Sequence, residues 1–211
     1  MMKPLLQVNL NQTHGLLFFP VPKTGCTSVL SCREGLFQPR VGHVAASHVR
    51  REYPEIWSSS YKFAIVRNPW DRLVSAWSSL RDRPSGSGNT NAAFEQVLRQ
   101  VKRCKGFAEF VHWLAHEGVG VARAFHLQVH WTCDQGESLL DFVGYFEQLQ
   151  QDWDTVCDHV GLSPIRLPHR RLSNHPHYTQ LYDEETKKIV QDLYAEDIEQ
   201  FKYKFLGRRI P

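Results

Sequence analysis

No apolar run in this chain reaches the length that a bilayer-spanning helix needs. The opening stretch, Met1 to Gln7, is too short and too polar for a secretory leader. Charge of one sign is scarce as well, the formal net charge being only +3. A nucleic-acid duplex calls for a denser basic stripe, so this balance suits a small or locally anionic ligand. The 5 cysteines, Cys26, Cys32, Cys104, Cys133 and Cys157, are odd in number, and none stands in C-x-x-C spacing. That argues against a disulfide framework and fits a reducing compartment. There is no internal repeat and no Walker A string. The 211 residues, 42% of them hydrophobic, can bury one core and read most simply as a single domain over 1–211.

Two segments carry most of the information. Pro22-Lys23-Thr24-Gly25-Cys26-Thr27-Ser28 follows the apolar run Leu16 to Phe19, and Val66-Arg67-Asn68-Pro69-Trp70-Asp71-Arg72-Leu73-Val74-Ser75 follows Phe63 to Ile65. Each reads as a strand turning into a helix, a junction that presents backbone N–H groups to an anion. Lys23 adds a mobile positive charge beside the first turn, and Arg67 a planar fork at the end of the second strand. Two such junctions point to a ligand with two separate phosphate-type groups. A Walker A loop places its Lys after the second Gly, whereas Lys23 precedes Gly25. Pro20 and Pro22 occupy the stretch where an open glycine loop would wrap a triphosphate. The shorter turn is expected to cradle one phosphate, which weakens a kinase or NTPase reading.

The string P-K-T-G-C-T-S resembles the 5′-phosphosulfate loop of sulfotransferases that use 3′-phosphoadenosine-5′-phosphosulfate (PAPS), and V-R-N-P-W-D-R-L-V-S-A-W resembles their 3′-phosphate motif. Within that superfamily the chain is most similar to the carbohydrate-type branch and its small bacterial relatives. Gly42 to Ala46, Leu140 to Glu147 and Tyr194 to Tyr203 agree, so the resemblance runs over nearly the whole chain in the expected order. It implies a PAPS-dependent O-sulfotransferase acting on an acceptor hydroxyl, with 3′-phosphoadenosine-5′-phosphate (PAP) as product and no metal. A carbohydrate is the first expectation for the acceptor, and a hydroxylated secondary metabolite is the alternative. A P-loop-type kinase and a non-catalytic PAP binder are the rival classes. Golgi members of this branch carry a membrane anchor. Its absence here points to a soluble, bacterial, cytoplasmic protein, with a trimmed luminal domain as the alternative.

Short apolar runs alternating with helical patterns predict a three-layer α/β fold, P-loop-like, around a mostly parallel sheet. Strands are expected over Gly15 to Pro20, Lys62 to Val66 and Asp141 to Phe146. Helices are expected over Thr27 to Arg33, Ala45 to Glu52, Pro69 to Arg81, Ala92 to Lys102, Phe107 to His116, Gln148 to Val160 and Glu184 to Tyr194. Pro69 fits the first turn of its helix, where its missing N–H is no loss. The stretch 82–91 has the composition of a mobile loop, either an acceptor-site lid or a surface excursion.

The resemblance gives Lys23 the task of stabilising the oxygen that bridges phosphorus and sulfur as it gains charge. Lys23, Thr24, Gly25, Cys26, Thr27 and Ser28 form the 5′ cradle. Arg67 and Ser75, 8 positions apart, occupy the places that family members use for the 3′-phosphate. An attacking hydroxyl must lose its proton, so a base of near-neutral pKa is needed, and His is the obvious type. Of the 11 histidines, His43 matches the family's histidine in its G-H-x-x-A context, and His48 is the alternative base. Cys26 reads as a small residue that lets backbone approach phosphate, the alternative being a thiol activated at a helix start.

Arg72 either joins the 3′ site or pairs with Asp71 or with glutamates as a structural residue. His112 and His116 lack a third ligand at matching spacing and read as surface residues. His126 and His130 flank a stretch where the family has H-x-x-P-Q, and Tyr145 stands where relatives have Arg in G-R-F-E. Both departures bear on the acceptor, and the second points to one less anionic than a sulfated or uronic-acid glycan. His169, Arg170 and Arg171, with His175 and His177, form a basic segment that closes over the ligand or is simply solvated.

Overall fold

Residues Leu16 to Phe19 are buried on both faces, and so are Phe63 to Val66. A strand sandwiched between helices reads as an unbroken apolar run for that reason. The computed structural model describes residues 8–38, 42–84, 91–168 and 176–207. In chain order the elements are β1 (Asn9–Asn11), β2 (Leu16–Phe19), α1 (Cys26–Ser31), α2 (Ala46–Glu52), α3 (Pro54–Ser59), β3 (Tyr61–Val66), α4 (Pro69–Arg81), α5 (Ala92–Arg103), α6 (Phe107–Glu117), α7 (Val129–Thr132), β4 (Cys133–Asp134), β5 (Glu137–Ser138), β6 (Phe142–Tyr145), α8 (Leu149–His159), α9 (Glu184–Leu193) and α10 (Ala195–Gln200). The chain divides into two compact units, 1–67 with 128–170, and 68–127 with 171–211.

The first unit holds a 4-stranded sheet in the order β1-β2-β3-β6. β2, β3 and β6 are mutually parallel, and β1 joins the edge antiparallel. Alternate residues divide between the two faces, as the period of two requires. Leu16, Phe18, Phe63 and Ile65 pack with Val29 of α1 and with Trp153, Val156 and Cys157 of α8. Leu17, Phe19 and Ala64 pack on the other face with Ala46 and Val49 of α2 and Trp131 of α7. This unit has the expected three layers around a mostly parallel sheet. β6 lies tight against α8 because residue 144 has no side chain: a Cβ there would come within 2.6 Å of Ile65 Cδ1 and 3.0 Å of Asp152 Cβ.

The second unit, as described, is helical. α4 is buried on most of its circumference, including Arg72, Ser75 and Ser78. Asn68 caps it by accepting from the Trp70 N–H at 3.1 Å, and Pro69 takes its first turn as expected. Trp77, Phe107, Phe110, Phe125 and Tyr182 form a run of ring contacts with centroids 4.9 to 6.5 Å apart. Among the described residues no helix is long and apolar enough to cross a membrane.

Several expectations need correction. The first helix begins at Cys26 and stops at Ser31 instead of running to Arg33: the Cys32 N–H reaches back only to the Val29 carbonyl, and the chain then turns through Gly35 at φ 74°. β1 was not anticipated, because Asn-Leu-Asn lacks a strand's apolar pattern. α3 was not anticipated either, since Pro54 signals a helix stop as readily as the first helical turn it occupies. The β4–β5 hairpin closes through Gln135 and Gly136, both at positive φ, a two-residue turn of the I′ kind. Of the loop expected over 82–91, residues 85–90 lie outside the described residues, and Asn91 caps α5 by accepting from the Phe94 N–H.

Burial pushes the phenols of Tyr182 and Tyr194 above their ordinary value of 10.0. The unfolded chain gives up these protons first as pH rises, so the folded state binds more protons in that range. Stability is therefore expected to fall as pH climbs beyond about 10. Tyr194→Phe removes part of that slope, at a cost of about 1 kcal/mol for the hydrogen bond its hydroxyl donates to the Phe125 carbonyl. Urea midpoints measured between about pH 8 and about pH 11 give the slope. An identical slope in both proteins would rule out this account of Tyr194.

Candidate active site

The parallel strands β2, β3 and β6 end at one edge of the sheet, with Phe19 opposite Ala64 and Val66 opposite Tyr145. The carboxyl ends of parallel strands are where such sheets bind ligands. Three turns leave from that edge: the run from Pro20 to Gly25, residue Arg67, and the run from Phe146 to Gln148.

The first turn is stiff. Pro20 and Pro22 are buried, and Thr24 is fully buried with its hydroxyl donating to the Val21 carbonyl at 3.0 Å. Lys23 and Gly25 both lie in the left-handed region, at φ 70° and 81°. A lysine held there is a local strain that the surrounding packing must sustain, and such strain gathers at functional sites. Gly25 caps α1, and a Cβ on it would meet Leu149 at 3.0 Å and Phe146 at 3.1 Å. The Ser28 N–H turns back to the Gly25 carbonyl at 2.9 Å. Cys26 packs against the core cluster beneath, in keeping with its reading as a small residue.

Arg67 is 93% buried, at 7% exposure, and its cationic fork is held from several directions. One Nη donates to the Lys23 carbonyl at 3.2 Å. The guanidinium lies over the Phe146 ring, 4.1 Å from its centroid. Its main chain is bonded by the Gln128 carboxamide at 2.9 Å on both sides. Phe146 in turn is placed by the end of β6, where the buried Asp152 carboxylate accepts from the Tyr145 N–H and from Gln148 Nε2. Lys23, Gly25, Arg67 and Phe146 thus meet at the strand ends.

His43 reaches the same turn. Its Nδ1 lies 2.6 Å from the Pro20 carbonyl oxygen. A carbonyl can only accept, so Nδ1 carries a proton, and in the neutral form of the ring Nε2 is the basic nitrogen. The ring also packs 5.7 Å from Trp131. His48, the alternative base, is exposed on α2 with its Nδ1 3.3 Å from an Arg51 Nη.

Ser75 is buried on α4, in the second unit. Arg72, in the same unit, donates to the carbonyls of Ala124 and His126 at 3.3 and 2.8 Å and faces Asp197 at 3.7 Å, contacts that hold that unit together through a carboxylate that is neither Asp71 nor a glutamate. His126 is 3.3 Å from the Gly120 carbonyl, and His130 is exposed beside Trp131. His112 and His116 lie near different carboxylates, Glu185 and Glu117. Among the described residues no group of 3 or more His, Cys, Asp or Glu could hold a metal ion. His169, Arg170, Arg171 and His175 lie outside the described residues, and His177 is exposed. Gln128, Phe146 and Asp152 were not singled out as site residues. The G-x-F-E pattern was a signal for Phe146; for Gln128 the sequence offers none, its partner being 61 positions away.

The profile of the sulfotransferase family matches residues 6–204. Carbohydrate sulfotransferase 11 of Mus musculus is 29% identical over 220 residues, covering 88% of this chain and 60% of its own length. Carbohydrate sulfotransferase 10 of Gallus gallus is 24% identical, with 94% and 65% covered. Carbohydrate sulfotransferase 9 of Homo sapiens is 26% identical, with 74% and 41% covered. The chain therefore spans at most about two thirds of the length of these relatives. No solved structure matches it.

Gly25→Ala should destabilise the protein by about 1–3 kcal/mol, from backbone strain at positive φ together with crowding of Phe146 and Leu149. Chemical denaturation measures it. A neutral substitution would mean that the turn does not need its left-handed cap.

Proposed function

This chain belongs to the sulfotransferase family, and from that premise we propose that it moves the sulfuryl group of PAPS onto an acceptor hydroxyl, a carbohydrate hydroxyl in the first place. One observation carries the reading: the Arg67 fork is bonded to the carbonyl of Lys23. The cations of two phosphate motifs, 44 positions apart in sequence, are thereby tied to one short stretch of backbone. That layout suits a single ligand bearing a phosphate-type group at each of two positions. The names of the relatives support carbohydrate as the acceptor class.

PAPS would supply an activated sulfur whose bridging oxygen leaves with negative charge. The residues present fit such a donor: a left-handed glycine cradle where a Cβ would be crowded, a lysine beside it and a buried arginine fork. In the proposed reaction the start of α1 from Gly25 to Ser28 holds the 5′ group, and Arg67 meets the 3′-phosphate. The Lys23 ammonium offsets charge on the departing oxygen. His43 Nε2 takes the proton from the acceptor hydroxyl as the new oxygen–sulfur bond forms and the old one breaks. The Pro20 carbonyl fixes the ring and its tautomer for that step. We also propose a cytoplasmic location, a reading supported by its 5 cysteines being thiols, which fits a reducing compartment.

PAP should raise the melting temperature through preferential binding to the folded state, and ATP with Mg²⁺ should raise it much less, because ATP has nothing for Arg67 to meet. Equal stabilisation by the two nucleotides would contradict the proposal.

Lys23→Ala should weaken PAPS binding and lower turnover together. His43→Ala should leave PAP affinity near wild type while cutting turnover by roughly 10²–10⁴ and removing the acidic limb of the pH–rate profile. A fully active His43→Ala beside an inactive His48→Ala would move the base to α2.

A further inference from the structure

Gln128 is fully buried immediately before α7 and belongs to neither phosphate motif. Its carboxamide makes two bonds to a single residue. The Arg67 N–H donates to Gln128 Oε1 at 2.9 Å, and Gln128 Nε2 donates to the Arg67 carbonyl at 2.9 Å. This is the bonding a neighbouring strand would supply, given instead by a side chain, one residue beyond the last β3–β6 pair at Val66 and Tyr145. A primary carboxamide carries, on two adjacent atoms, both the donor and the acceptor that the two backbone groups need. The Gln128 carbonyl is anchored in turn by the Thr132 hydroxyl at 3.1 Å. The clamp is therefore fixed at its base.

The clamp sets the point from which the Arg67 side chain departs. The Lys23 carbonyl and the Phe146 ring then constrain the fork itself. A guanidinium recognises phosphate through a planar, directional pair of bonds, so a small rotation of the backbone at residue 67 would misaim it. We infer that Gln128 is a positioning residue for the donor's 3′-phosphate, acting through Arg67; this rests on the PAPS-dependent reading above. An apolar residue of similar size would fill the same volume and remove both of these bonds to the Arg67 backbone.

Adenosine 5′-phosphate (AMP) lacks the 3′-phosphate and so separates positioning from general stability. Calorimetric titration of the full chain with PAP and with AMP is compared for the wild type, Gln128→Met and Gln128→Glu. Gln128→Glu keeps an acceptor for the Arg67 N–H and loses the donor to its carbonyl. In both variants PAP should bind roughly five- to a hundredfold more weakly while AMP changes by less than about twofold. Equal weakening of the two ligands would make Gln128 merely structural and overturn the inference, as would an unchanged PAP-to-AMP ratio. If Gln128→Met does not fold, the ratio in Gln128→Glu decides. A wild type that does not prefer PAP to AMP would instead overturn the parent reading, and this inference with it.

Discussion

The grip on Arg67 is the constraint on which the site depends. A guanidinium keeps its charge at any ordinary pH, so burying one to 7% exposure is tolerable only with hydrogen-bond partners and a fixed geometry. Here the fork has a backbone carbonyl on one side and an aromatic face beneath it, and its main chain is clamped by a carboxamide. Each partner comes from a different part of the first unit: Lys23 from the turn after β2, Phe146 from the end of β6, Gln128 from the start of α7. A charge held in this way is pre-organised, so under the proposed function less ordering would remain to be done on binding an anion.

The same contacts explain several local peculiarities. Residue 144 is glycine because β6 must lie against Ile65 and Asp152. That closeness lets the Asp152 carboxylate bond the Tyr145 N–H, which fixes the turn carrying Phe146. Phe146 then borders both Gly25 and Arg67. The left-handed backbone of Lys23 is held by a proline on either side of Val21, by the Thr24 hydroxyl and by the bond from Arg67 to its carbonyl. His43 touches this assembly through the Pro20 carbonyl, so the proposed base and the proposed cradle share one stretch of chain.

Much of this was readable from residue order alone, for a physical reason. Strands buried on both faces must be apolar throughout, so β2 and the latter part of β3 announce themselves, and β6 shows as a short apolar run although only Gly144 of it is fully buried. Asn68 and Pro69 carry the capping chemistry that starts α4, whose bounds match expectation at both ends. The two strand-to-helix turns stood out because a lysine–glycine stretch and an arginine each follow on an apolar run. Contacts that span long sequence distances were not visible. Gln128 bonds a residue 61 positions away, and the comparison with H-x-x-P-Q drew attention to the flanking His126 and His130 and not to Gln128 itself. Arg72 was equally open to a ligand role or a structural one, because the carbonyls of Ala124 and His126 and the Asp197 carboxylate that engage it leave no local trace. β1 and α3 escaped notice because one is too short and polar to show a pattern and the other begins on a proline.

The central claim is transfer of a sulfuryl group to a hydroxyl, and incubation with radiolabelled PAPS against a panel of carbohydrates and small hydroxylated compounds tests it most directly. The account predicts that label passes to an acceptor, a carbohydrate before the others, with one PAP formed for each group transferred. Absence of transfer to every hydroxyl acceptor, in a protein that still binds PAP, would contradict it and leave a nucleotide-binding protein without the chemistry.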